Sequence, residues 1–139
     1  MVRLIVGNKG KGKTTEILQR VNAQIKEAKG SIVYLDKSSK HMYELNNRIR
    51  LIDVSRYPIE NSEQFVGFIC GIISQDHDIE SMYLDGFLKC SKAENDDITR
   101  TIKELDAVST KFNIEFVISL SLDKEELDSS LEDMVLVAL

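Results

Sequence analysis

Apolar residues recur along this chain in two alternating rhythms. Val2 to Val6 is a short, nearly continuous apolar run that predicts a buried strand. Ile17, Val21, Ile25 and Ala28 follow at helical spacing and predict a helix from about Lys13 to Ala28, with Gly30 placed to stop it. Ser31 to Leu35 reads as a second strand ending at Asp36, and a short helix is expected around His41 to Leu45. Arg50 to Val54 is a third strand, followed by a loop with the only proline, Pro58. Asn61 or Ser62 can cap the next helix, Glu63 to about Gln75. Its apolar residues, Phe65, Phe68, Ile69, Ile72 and Ile73, are widened by Val66 and Cys70. So wide a stripe is either buried or shared with a partner, and burial is expected. Ser81 to Leu84 predicts a fourth strand ending at Asp85-Gly86. A long helix is expected from Asp96 or Asp97 to about Lys111, on Ile98, Ile102, Leu105, Val108 and Phe112. Ile114 to Leu120 predicts a fifth strand, Asp123 to Leu131 a short acidic helix, and Met134 to Ala138 a last strand.

Strand and helix thus alternate over the whole chain, with no internal repeat and no linker. Residues 1–139 are expected to form a single α/β domain, a mainly parallel sheet of five to six strands with helices on both faces. At 42% apolar and 29% charged residues, the composition suits a globular domain rather than a disordered chain.

Charge and rarer residues narrow the chemistry. The net charge of -5 argues against nucleic acid as the main partner. The best local basic patch is Lys9, Lys11 and Lys13, extended by Lys37 and Lys40. Cys70 and Cys90 lack metal-ligand spacing and read as reduced thiols, and His41 and His77 are isolated. The apolar run in MVRLIVGNKG is too short for a signal peptide and no run approaches a membrane span, so a cytoplasmic location without membrane association is expected.

The segment Gly7-Asn8-Lys9-Gly10-Lys11-Gly12-Lys13-Thr14 matches GxxxxGK[ST] at every fixed position. Glycines let the backbone curl so that successive N–H groups converge on phosphate oxygens, and the positive end of the following helix adds to that field. In this pattern the Lys13 ammonium reaches the β and γ phosphates and the Thr14 hydroxyl coordinates Mg²⁺. Gly7 through Thr15 are therefore the expected nucleotide-binding residues. A strand-terminal Asp completes the cation's environment in such sites. Asp85 fits best, ahead of Asp36 and then Asp53.

On these residues the chain resembles the P-loop NTPase superfamily. The order of elements is similar to the ATPase core of RecA and the hexameric replicative helicases. That resemblance implies a three-layer α/β/α fold with strand order 3-2-4-5-1-6. The chain also resembles small stand-alone bacterial ATP-binding proteins sometimes labelled PilT-like, although it lacks that family's N-terminal domain and histidine box. The lysine that ParA/MinD-like ATPases carry five residues before the P-loop lysine is Asn8 here.

Departures bear on turnover. RecA-like motors carry a glutamate after the second strand, where this chain has Asp36-Lys37-Ser38-Ser39. Other P-loop ATPases place one after the metal-side Asp, where Gly86 stands. The γ-phosphate-sensing glutamine after the fifth strand is replaced by Ser119-Leu120-Ser121-Leu122. Lys13 and, as a weaker substitute base, Asp36 are then the catalytic candidates. No NKxD motif exists outside the loop, so ATP is the expected nucleotide. The reading is an ATP-binding switch with weak or partner-dependent ATPase activity and a Mg²⁺ cofactor. A second subunit or protein partner would complete the site. Its alternatives are a small-molecule or nucleoside kinase and a subunit of a DNA or pilus motor.

Overall fold

The computed structural model describes residues 1–93 and 98–139. The expected helix start at Asp96 or Asp97 lies outside them. The described strands are β1 (Val2–Val6), β2 (Ser31–Asp36), β3 (Arg50–Asp53), β4 (Ile79–Leu84), β5 (Glu115–Leu120) and β6 (Val135–Ala138). Between them lie α1 (Lys13–Gln24), α2 (Ser62–Ser74), the single turn α3 (Phe87–Cys90) and α4 (Thr99–Phe112). The strands form one six-stranded sheet in the order β3-β2-β4-β5-β1-β6, and every pairing is parallel. This is the expected order.

Strand side chains alternate between two cores. Leu4, Val6, Val33, Leu35, Met82, Leu84, Phe116 and Ile118 join α2 and α4 through Phe65, Ile69, Ile102 and Leu105. Ile5, Ile32, Tyr34, Tyr83 and Val117 face the other way and meet Ile17, Leu18, Val21 and Ile25 of the α1 segment. Burial on both faces explains why the strands read as apolar runs rather than alternating ones. Each large side chain withdrawn from water contributes about 1.5–3 kcal/mol. The wide α2 stripe is used in this core. Phe65, Ile69, Ile72 and Ile73 are buried, Val66 and Phe68 pack against them, and Phe65 meets Phe87 edge-on at 5.8 Å. Asn61 caps α2 by accepting the Gln64 N–H at 2.8 Å.

Several boundaries differ from expectation. Helix α1 ends at Gln24 rather than Ala28, with Ile25 as its cap. Gly30 is therefore not the helix stop. It is required because a Cβ there would lie 2.1 Å from the Asp78 carbonyl oxygen, where the chain entering β2 crosses the start of β4. The expected helix around His41 is a single 3-10 turn, Met42–Glu44. The acidic helix is two 3-10 turns, Lys124–Glu126 and Ser129–Met134. There Asp123 and Asp128 engage nearby backbone N–H groups, which favours tight turns over a continuous helix. Strand β3 stops at Asp53 because its carboxylate accepts the Ser55 N–H and starts a turn. Among the described residues no helix is long and apolar enough to cross a membrane.

Candidate functional site

Parallel pairing brings the carboxyl ends of the strands to one end of the sheet. Val6 is opposite Leu120, and Leu35 is opposite Leu84. The loop after β1 and the residues Asp36 and Asp85 therefore emerge at the same end, where ligands bind in open parallel sheets.

The loop from Gly7 runs directly into α1. Gly10 and Gly12 have φ of 89° and 90°, left-handed values that L side chains rarely adopt. Gly7 is packed against Leu139, since a Cβ there would lie 3.0 Å from the Leu139 carbonyl oxygen. The Lys11 N–H donates to the Asn8 carbonyl at 3.2 Å, and the Lys13 ammonium donates to the same oxygen at 3.2 Å. The first intrahelical bond of α1 runs from the Glu16 N–H to the Gly12 carbonyl at 3.1 Å. The N–H groups of Lys13, Thr14 and Thr15 precede it and have no partner within the helix. Gly12 is the N-cap and offers no capping side chain. The helix start is thus an electropositive cradle of backbone donors.

A cavity of about 340 Å³ opens on this cradle. Of the sequence-predicted residues, Lys9, Gly10, Gly12, Lys13, Thr14, Thr15, Asp36 and Asp85 line it. Gly7, Asn8 and Lys11 do not; they shape the loop behind it. Asp53 does not line it either, and its Oδ1 is engaged by Ser55. Lys37 and Lys40 join the lining, as do His41 and Ser119.

Lys13 is buried, and that burial lowers its pKa against the attraction of Asp85, with Lys37 adding to the lowering. Asp85 is held from two neighbouring strands. Ser119 Oγ on β5 donates to its Oδ1 at 2.7 Å, and Tyr34 OH on β2 donates to its Oδ2 at 3.1 Å. The same Ser119 oxygen accepts the Gly86 N–H at 2.9 Å. Burial, followed by the charges of Asp85 and Asp36, raises the Tyr34 pKa, so the phenol stays protonated and keeps donating.

Asp36 is less satisfied. Its Oδ1 accepts the Lys37 N–H at 2.7 Å, while its buried Oδ2 has no hydrogen-bond partner among the described residues. Burial raises its pKa, and Asp85 raises it further. The Lys37 N–H, His41 and the Lys37 ammonium work in the opposite direction. An orphaned acceptor beside a second carboxylate is chemically suited to a hard cation or to a proton. Burial, with the charges of Asp36 and Asp85, pushes the Cys90 thiol up to about 12, which makes it unreactive.

Tyr34 was not singled out from the sequence, and Ser119 was noted only as standing where a glutamine was expected, not as a partner of Asp85. Each leaves only a faint signal, a lone hydroxyl inside an apolar strand. No protein-family model matches the chain, and no curated protein sequence matches it.

Proposed function

We propose that this chain is an ATP-binding P-loop protein of three-layer α/β/α architecture, with weak or partner-dependent ATPase activity, acting as a nucleotide-dependent switch. The observation that carries the reading is convergence. Lys13, Thr14, Asp36 and Asp85 line one cavity at the start of α1.

In this reading the loop amides and the α1 N-terminus bind the β and γ phosphates. Lys13 is already stripped of much of its water, so a phosphate oxygen gains a strong charge-assisted partner. The residues fit a Mg²⁺ ion: Thr14 and Asp85 would hold it, and Asp36, whose buried Oδ2 has no hydrogen-bond partner among the described residues, lines the same cavity as a second carboxylate. The cation supplies neutralisation of phosphate charge. Tyr34 and Ser119 keep Asp85 oriented toward that task.

Turnover is the weaker half. No glutamate lines the cavity among the described residues. Asp36, with its pKa raised by burial, is the base that remains. Slow hydrolysis follows, unless a partner adds a group.

Titration with ATP, GTP and ADP in Mg²⁺, with phosphate release followed in parallel, tests the reading. Saturable ATP binding that Lys13→Met abolishes, with slow release, is expected. Absence of ATP binding, or unchanged binding in that variant, would overturn it. Unchanged turnover in Asp36→Asn would remove Asp36 from the mechanism. Transfer to an added metabolite would favour a kinase, and stimulation by DNA a motor.

A further inference from the structure

A second cavity, of about 410 Å³, adjoins the first, and Lys37 lines both. Its walls come from segments that follow three neighbouring strands. Lys37 follows β2, Ser55 and Tyr57 follow β3, and Lys89 and Lys92 lie in and just after α3. It therefore sits at the same end of the sheet as the site above.

Its charge is one-sided. Three of its lining residues are lysines, and among the described residues no Asp or Glu lines it. The carboxylate nearest in sequence to its β3 wall, Asp53, has an oxygen occupied by the Ser55 N–H at 3.0 Å and the Ser55 hydroxyl at 2.5 Å. In a chain of net charge -5, three exposed lysines lining one concavity make a local positive patch, which attracts a multiply charged anion. Lys92 takes φ 58°, which is unusual for a side-chain-bearing residue. That turn folds the chain back on α3, with the Lys92 N–H on the Lys89 carbonyl at 3.3 Å, and brings both lysines to one rim. Tyr57, about half exposed and packed at 5.2 Å on Phe68, adds a flat apolar edge.

We propose that this second cavity binds a small phosphomonoester beside the nucleotide, with Lys37 between the two anions. The words "beside the nucleotide" rest on the function proposed above; the second site itself does not. Lysines act as point charges toward phosphate, and a volume of about 410 Å³ suits a compact ligand. A concave site in an acidic chain favours a small anion over a nucleic-acid backbone.

The test uses the full chain, with ribose 5-phosphate and phenyl phosphate as probes, titrated with and without a saturating non-hydrolysable ATP analogue and Mg²⁺. Saturable one-to-one binding in both conditions is expected. The double variant Lys89→Gln/Lys92→Gln should weaken it at least about tenfold, which is about 1.4 kcal/mol. That variant should leave the analogue's affinity and the melting temperature unchanged, whereas Lys37→Gln should weaken both ligands. No saturable binding, competition with the analogue, or binding unaffected by the double variant would overturn the inference. So would preferential binding of a DNA oligonucleotide through Lys89 and Lys92. Phosphomonoester binding lost in the double variant, in a chain that fails to bind ATP, would sink the nucleotide reading and leave this site standing.

Discussion

Replacing Asp36 with Asn removes a negative charge from a side chain only 2% exposed and leaves its shape nearly unchanged. One carboxylate oxygen is already satisfied by the Lys37 N–H at 2.7 Å, and the other is buried without a partner among the described residues. Burial, then Asp85, holds the Asp36 pKa above its ordinary value. Between the unfolded value of about 3.9 and that raised value, the native chain binds more protons than the unfolded one, so stability falls as pH rises through the window. Asn carries no such dependence. Leaving a buried acceptor unpaired costs about 1–3 kcal/mol. Asn removes the buried negative charge while its amide oxygen can keep the Lys37 N–H, so Asp36→Asn should stabilise the ligand-free chain by about 1–2 kcal/mol at pH 8. For a chain of this length that is a rise of about 3–7 °C in melting temperature. The gain should shrink as pH falls through the raised native value and level off below about 3, where the native and unfolded carboxyls are both protonated. Calorimetric melts of wild type and variant at pH 4.5 and 8, without nucleotide or Mg²⁺, measure the difference. With Mg²⁺ and ATP the order should reverse, because the carboxylate then faces a cation. A variant that melts below wild type at pH 8, or shows the same offset at both pH values, would refute the reasoning.

Three further outcomes follow from the same geometry. Ser119→Ala removes the 2.7 Å bond to Asp85 and the acceptor of the Gly86 N–H, and should cost about 2 kcal/mol in denaturant unfolding. It should also weaken the Mg²⁺-dependent part of nucleotide binding several-fold, while Ala at the exposed Ser121 leaves the unfolding midpoint unchanged. Lys13→Met keeps volume and removes a charge that burial disfavours, so the ligand-free chain should melt at or above wild type. Its ATP Kd should rise at least about 100-fold, or about 2.7 kcal/mol, by isothermal titration. Gly30→Ala would force a Cβ to 2.1 Å from the Asp78 carbonyl, and should lower the unfolding free energy by more than about 2 kcal/mol, against near-neutrality for Gly67→Ala, whose Cβ meets nothing within 4 Å.

How much was legible in the chain depended on the range of the interaction. The apolar runs at Val2, Ser31 and Ile114 and the helical stripes at Ile17 and Phe65 are local signals, and each marks an element of the structure. Boundaries went wrong where a side chain competes with the ladder over one or two residues, as Asp53 and Asp128 do. The single turn α3 was not expected, because four residues are too few to show a period.

The sequence by itself determined the alternation of strands and helices and the glycine-rich loop that runs from β1 into α1. It also singled out the Lys13, Thr14, Asp36 and Asp85 side chains that line the first cavity. Those properties rest on backbone periodicity and on spacing within a few residues. Only the tertiary structure decided that Tyr34 and Ser119, lying 51 and 34 residues from Asp85, would hold its two oxygens. Only it left Asp36 Oδ2 without a partner among the described residues, made Gly30 a close crossing and set Lys37 between two cavities. These depend on strand order and register, which bring distant residues together and which no local spacing along the chain encodes.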